Sequence, residues 1–205
     1  KRNSRNYGHQ QGLKAIEKIV DYSIKRKIFY LTLFTFSSEN WKRPKNEVNF
    51  LFRLLESYFK TNLSKVINNG IRIKIIGDKS KLSKNLRNII KLVEKRTKQN
   101  KKISVNLALN YGSKHEMISS LKTIIKKKLK ITEDNFEKNL YTAGCPNPDI
   151  LIRTGGQRRL SNFLLWQLAY TEIFFVNKMW PDFNSKDFSK IINQFKKTKR
   201  NFGTI

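Results

Sequence analysis

Strands alternating with segments of helical period predict an α/β fold: a single domain whose central, mostly parallel sheet is covered by helices. Three observations carry this. Short apolar runs rich in β-branched and aromatic residues recur between longer stretches of 3.6-residue periodicity. Strand–helix–strand order joins neighbouring strands in parallel and buries both faces of the sheet. The 205 residues, 39% of them hydrophobic, make one domain of common size with enough apolar surface for a core.

The elements follow in order. A helix is predicted over residues 8–26, with Leu13, Ile16, Val20 and Ile24 on one face. Residues 28–36 form a buried strand. A long helix occupies 44–68, with Pro44 at its start and Gly70 past its end. Residues 71–76 are a short strand closed by Gly77, and 82–98 a helix. Residues 103–109 are a strand ended by Asn110-Tyr111-Gly112. A helix over 114–128 precedes a shorter one beginning at Thr132. Residues 150–152 are a strand. Ser161 caps a predicted helix over 162–170. Residues 173–176 are the last strand, and Ser185 opens the final helix.

Composition excludes several classes. The longest apolar stretches, 28–36 and 163–170, are about half the roughly 20 residues of a spanning helix. One cysteine, Cys145, excludes an internal disulfide framework and a multi-cysteine metal site, and is read as structural. No signal peptide is visible, so the expected location is cytoplasmic. The formal net charge of +28 attracts polyanions, whether nucleic acid, anionic lipid or phosphate-bearing ligands. Lys supplies 31 of the 43 positive charges and is spread through nearly every predicted helix. That distribution fits a lysine-loaded surface better than a dedicated nucleic-acid face.

Ligands of parallel sheets bind beyond the carboxyl ends of the strands. The first such end reads Ser37-Ser38-Glu39-Asn40-Trp41-Lys42-Arg43-Pro44, a polar run between a buried strand and a helix N-terminus that favours an anion. Capping chemistry is the bland alternative. A later end reads Arg153-Thr154-Gly155-Gly156-Gln157-Arg158-Arg159-Leu160-Ser161-Asn162. Three Arg within seven residues of a Lys-biased chain point to guanidinium forks that grip phosphate bidentately. The paired glycines would let backbone N–H groups approach the anion. No Walker A loop and no dinucleotide fingerprint is present. His9 lies at a helix start near Arg5. Glu172, a single carboxylate, cannot hold Mg²⁺ without a second acid or substrate phosphates. Asp78 reads as a turn residue. The long helix has two apolar stripes, Val48, Leu51, Phe52, Leu55 and Phe59 on one face, and Phe50, Leu54 and Tyr58 on the next. One side suits the core and the other a greasy cavity.

In family order, Gly8-His9-Gln10-Gln11-Gly12, residues 36–44, Ile75-Ile76-Gly77-Asp78, Asn110-Tyr111-Gly112, residues 149–172 and Trp180-Pro181-Asp182-Phe183 together resemble the cis-prenyltransferases, the family of undecaprenyl diphosphate synthase. The resemblance spans essentially the whole chain. It implies extension of farnesyl diphosphate by isopentenyl diphosphate with cis double bonds to a long-chain, undecaprenyl-type lipid carrier. It also implies magnesium as cofactor, a homodimer, a hydrophobic tunnel, and a peripheral membrane contact for product release. Arg5, His9 and Arg43 would hold the allylic diphosphate. Arg153, Arg159, Leu160 and Ser161 would hold the isopentenyl diphosphate. Ser37, Ser38, Glu39 and Trp41 would line the reacting region beside Asn40, to which the family assigns the proton; a neutral amide is a poor base, so an orienting role is preferred here. Glu172 would help to position Mg²⁺, with an Asp expected in a segment upstream of Lys1. Without that segment the chain alone is expected to be inactive. Gln157 stands where the family usually has Glu, which would weaken Mg²⁺ or isopentenyl positioning.

Two other readings compete. A basic nucleic-acid-binding protein would use the charge, but no recognisable module is present and no specific nucleic acid is expected. A catalytically inactive partner subunit of the same fold would explain a missing Asp segment, but has no need of the Arg153–Ser161 motif.

Overall fold

The computed structural model describes residues 5–200 of the chain. In order these form α1 (Arg5–Lys25), β1 (Tyr30–Ser37), a 3-10 turn (Ser38–Lys42), α2 (Lys45–Asn68), β2 (Ile71–Ile76), α3 (Lys84–Thr97), β3 (Ile103–Tyr111), α4 (Ser113–Lys126), α5 (Glu133–Glu137), β4 (Ile150–Thr154), β5 (Glu172–Val176), a second 3-10 turn (Trp180–Asp182) and α6 (Ser185–Phe195).

All pairings are parallel, as strands separated by helical crossovers require. The ladder is nevertheless divided. Among the described residues one sheet has the order β1-β3-β2, and a second joins β4 to β5. β3 is central and buried along almost its whole length, which its near-continuous apolar run reflects. On one face, Ile103, Val105, Leu107 and Leu109 pack against α2 and α3 through Phe59, Val66, Leu86, Ile90 and Val93. On the other face Ala108 and Tyr111 meet Phe163, Leu164 and Leu168. A third cluster joins β4 and β5 to α1 and α6 through Ile19, Phe183, Phe188 and Ile191. Each such buried aliphatic or aromatic side chain contributes on the order of 1.5–3 kcal/mol.

The expected helix over 162–170 does not form. Ser161, Asn162 and Leu164 all adopt left-handed backbone, with φ of 51°, 61° and 47°. That conformation interrupts any helical ladder and is unusual for a leucine. Burial of Phe163 and Leu164 in the second core cluster compensates for it.

Candidate active site

The tip of β1 is organised by its own side chains. Ser37 caps the following 3-10 turn by accepting from the Glu39 N–H at 3.1 Å, and the Asn40 side-chain oxygen accepts from the Ser37 N–H at 3.0 Å. The Glu39 carboxylate accepts from the Ser37 hydroxyl, from Ser38 at 3.0 Å and from the Asn162 amide at 2.9 Å. Burial raises its pKa, but the hydrogen bonds from Ser37, Asn162, its own backbone N–H and Ser38 outweigh that and hold it at about 2.

In the first turn of α2, Glu47 is buried and gathers two guanidinium groups and an imidazole. Arg5 donates to its Oε2 at 2.9 Å, Arg43 donates to its Oε1 at 3.0 Å, and His9 Nε2 lies 3.3 Å from Oε1. Its position at a helix N-terminus also suits a negative charge. Burial pushes its pKa up, but the bond from Arg5, the charge of Arg43 and the bond from His9 win, and the carboxyl stays below its ordinary value.

Beyond β4, the chain turns through Gly155 and Gly156, whose φ of +87° and +72° only glycine adopts without strain. Arg153 then donates to the Ser161 hydroxyl at 3.1 Å, and Arg159 to Gln157 at 2.7 Å. The left-handed turn at Ser161–Asn162 aims the first side chain at Arg153 and the second at Glu39. Gly112 lets this happen: a Cβ there would stand 2.5 Å from Ser38 Oγ and 2.7 Å from Asn162 Nδ2.

The two clusters open on one cavity of about 1840 Å³. Arg5, His9, Arg43 and Glu47 border it on one side, and Arg153, Arg159, Leu160 and Ser161 on another. Leu51, Phe52, Leu54, Leu55 and Tyr58 of α2 supply an apolar wall. β1 and β4 also border it, and among the described residues neither carries a strand on its remaining edge there.

A family model described as putative undecaprenyl diphosphate synthase matches residues 1–203. The chain belongs to the undecaprenyl diphosphate synthase family. An isoprenyl transferase of Helicobacter pylori is 43% identical over 211 residues, covering 100% of this chain and 90% of that protein. One from Oceanobacillus iheyensis is 41% identical over 205 residues, covering 97% and 81%. Among solved structures, a probable undecaprenyl diphosphate synthase from Campylobacter jejuni matches with a TM-score of 0.87 and 41% identity, covering 95% of this chain and 93% of that one. Lavandulyl diphosphate synthase from Lavandula x intermedia, in complex with dimethylallyl diphosphate, matches with a TM-score of 0.92 and 32% identity, covering 98% and 89%.

Several details depart from the sequence-based expectations for a member of this family. The glycine N–H groups are not an anion cradle: Gly155 donates to Lys178 O at 2.7 Å and Gly156 to Val176 O at 3.0 Å. The pair serves the turn alone. Trp41 does not border the cavity. Its ring packs on Phe36 and Phe52, and its N–H donates to Asn110 Oδ1 at 2.8 Å, so it braces the site from behind. Ser38 likewise lies behind Glu39. Glu172 stands apart from the arginines. Parallel register sets it opposite Ile150 and sets Arg153 opposite Phe175, so about 10 Å of strand separates the two levels.

Protein side chains alone build no Mg²⁺ site among the described residues, so the ion would need substrate phosphates beside a carboxylate. No three His, Cys, Asp or Glu side chains come together among them. Of the five acids that border the cavity, Glu17, Asp21, Glu39, Glu47 and Asp149, Glu39 is engaged by three side-chain donors and Glu47 by Arg5, Arg43 and His9. The residues missed by sequence reasoning are Glu47 and Asn162. Glu47 had a signal, its i,i+4 spacing from Arg43 at a helix start. Asn162 had none, because its partner is 123 residues away.

Proposed function

We propose that this cavity condenses isopentenyl diphosphate onto an allylic diphosphate, with farnesyl diphosphate as starter, and repeats the step with cis double bonds to make an undecaprenyl-type diphosphate. The observation that carries this reading is that Arg43 and Arg153 border one cavity beside the apolar face of α2. Two anionic head groups and one growing hydrocarbon need that combination. A subunit with no chemistry of its own would need neither cluster.

Arg5, His9 and Arg43 receive the allylic diphosphate. The bonds from Arg5 and Arg43 to Glu47 each use one N–H of five, so both can hold Glu47 and grip phosphate together. Arg153, Arg159 and Ser161 receive the isopentenyl diphosphate, with Leu160 against its carbon chain. In the step itself the allylic C1–O bond breaks and its electron pair leaves with the diphosphate. The isopentenyl double bond supplies the pair for the new C–C bond, and one proton departs from the isopentenyl C2. The guanidinium groups stabilise charge growing on the departing oxygens. Asn40 accepts from the Ser37 N–H through its oxygen and holds its NH2 group as a donor, so it orients a reacting partner. The departing diphosphate takes the proton.

The chain product lies along α2. Its side chains Leu51, Phe52, Leu54, Leu55 and Tyr58 offer the hydrocarbon an apolar wall. The strand β5 exposes Ile173 and Phe175, with Met179 nearby in sequence, and this apolar edge suits a second copy in a homodimer. No helix among the described residues is long and apolar enough to cross a membrane. A cytoplasmic enzyme touching the bilayer peripherally fits that.

The test is turnover of radiolabelled isopentenyl diphosphate with farnesyl diphosphate and Mg²⁺ by the full-length protein, with lipids resolved by length. Labelled long-chain polyprenyl diphosphate is expected. Arg153→Ala is expected to raise the isopentenyl KM about a hundredfold, since it removes a charge-assisted fork. No labelled lipid from the unaltered full-length protein would overturn the reading.

A further inference from the structure

Helix α4 is held to the protein by one buried, largely polar face and carries exposed aliphatic side chains on the opposite one. Glu116, Ser120 and Ile124 form its buried face. At 100° per residue, Ile118 and Ile125 lie roughly 150° around the helix from the centre of that face. They are 54% and 61% exposed. The helix then closes with Lys128 in left-handed backbone, the Lys128 N–H on Ile125 O at 3.0 Å and the Leu129 N–H on Ile124 O at 3.1 Å. The chain beyond presents Leu129 and Ile131, 40% and 71% exposed. The buried face already fixes the helix to the core, so an exposed aliphatic stripe opposite it calls for a partner outside the domain.

The charges around this stripe choose the partner. Lys122, Lys126, Lys127, Lys128 and Lys130 are all exposed among the four aliphatic side chains, and no acidic residue occurs from 117 to 132. The next acids, Glu133 and Asp134, open α5, and Asp134 is held by Lys138 at 2.6 Å. Lys127 donates to Asn139 at 3.2 Å, which leaves its remaining donors available. A second copy meeting this face about a two-fold axis would set the same lysines against each other. We propose that the surface formed by Ile118, Ile125, Leu129, Ile131 and these lysines docks on an anionic bilayer. The aliphatic side chains enter the acyl boundary, and the lysines stay at the phosphate level. The proposal rests on the prenyl-chain reading for its purpose, delivery of a long lipid product, but its test needs no turnover.

With a net charge of +28, some attraction to any anionic vesicle is expected, so the decisive variant leaves charge untouched. Full-length protein is sedimented with phosphatidylcholine vesicles, with and without phosphatidylglycerol, at physiological ionic strength. The unaltered protein is expected to partition only onto the anionic vesicles. The pair Ile125→Ser with Ile131→Ser is expected to weaken that partition about tenfold or more, because it removes inserted aliphatic surface. Both positions are exposed, so the melting curve stays unchanged. Lys126→Gln, Lys127→Gln and Lys128→Gln together weaken it too. The control triple Lys84→Gln, Lys91→Gln and Lys95→Gln on α3, a basic helix with Leu92 as its exposed aliphatic, leaves it within about twofold. Equal losses from the two lysine triples, or none from the isoleucine pair, overturn the proposal in favour of dispersed charge. A changed molar mass of the isoleucine pair in light scattering overturns it in favour of a second copy. Absence of partition by the unaltered protein overturns it in favour of a protein partner. Should turnover fail while the partition pattern holds, the catalytic reading falls and the docking surface stands.

Discussion

Asn162 donates its side-chain amide to the Glu39 carboxylate at 2.9 Å and thereby ties the loop after β4 to the tip of β1. Among the described residues the β1–β3–β2 and β4–β5 ladders share no backbone pairing. This side-chain bond is one of the links that set the Arg153 cluster relative to the Asn40 turn. The neighbouring residue Ser161 accepts from Arg153, so a single left-handed turn registers both contacts.

The pKa of Glu39 makes that tie pH-dependent. Folding lowers it from 4.5 to about 2, so the folded state binds this proton less readily than the unfolded chain. Its contribution to stability is complete above pH 4.5 and disappears as pH falls towards 2. Glu39→Gln should abolish that share of the acid sensitivity. Urea midpoints of both proteins between pH 6 and pH 3 are expected to converge as the solution becomes acidic. A constant gap across the range would show that the carboxylate charge does not hold the tie.

Glu47 organises the proposed allylic site without touching the reacting carbons. Glu47→Gln keeps the shape and removes the charge that holds Arg5, His9 and Arg43 together. The KM for the allylic diphosphate should rise about tenfold, equivalent to about 1.4 kcal/mol of lost positioning, with the isopentenyl KM nearly unchanged. Steady-state kinetics with each substrate varied in turn checks this. An equal rise in both constants would mean a general distortion instead of a positioning role.

Much of the scaffold was legible in the sequence. The strand 71–76 and the start of β3 agree with their apolar runs to the residue, and α2 departs from its predicted start by one position. Local periodicity and punctuation by Pro44 and Gly70 suffice for such elements. The loop 155–170 was not legible, because its conformation is imposed by packing of Phe163 and Leu164 on Tyr111 and Ala108 across the sheet. Ser161, Asn162 and Leu164 carry no glycine to announce their positive φ. The cationic residues were identifiable by type, since Arg stands out against a lysine background. The contacts that position them were not, because Arg5 and Glu47 are 42 residues apart and Glu39 and Asn162 are 123 apart, although Glu47 carried a local signal in its i,i+4 spacing from Arg43. Glycine pairs misled for a related reason: their N–H groups went to Lys178 and Val176, contacts that only the β4–β5 pairing creates.

Glu116 supports the same loop from beneath. It is 1% exposed and accepts from the Tyr111 hydroxyl, from the Tyr141 N–H at 2.8 Å and from Gln167 Nε2 at 3.2 Å. Burial, followed by the charge and hydrogen bond of Glu116, drives the Tyr111 hydroxyl far above its ordinary pKa, so it remains a donor at all working pH values. Glu116→Ala removes the shared acceptor of three donors, of which Gln167 keeps Thr142 Oγ1 at 3.0 Å, and should cost about 3 kcal/mol of stability. Glu116→Gln retains an acceptor and should cost less. Guanidinium unfolding of both variants decides it, and equal losses would mean that volume, not hydrogen bonding, is what the site requires.

Asn40 separates positioning from proton transfer. Its oxygen caps the Ser37 N–H, so Asn40→Asp preserves the cap and replaces the NH2 group by a second carboxylate oxygen, whereas Asn40→Ala removes both. If the amide donates to a reacting partner, both variants lose turnover, and the aspartate does so with the 3-10 turn intact and little change in unfolding midpoint. An Asp that acted as a better base would instead raise turnover as pH climbs through its pKa. The measurement is kcat against pH for the two variants, beside their melting curves. A fall of about a hundredfold in both, flat with pH for the aspartate, matches loss of an orienting hydrogen bond. Near-full turnover in Asn40→Ala would leave this residue with no part in the chemistry, and the diphosphate would need neither help nor direction from it.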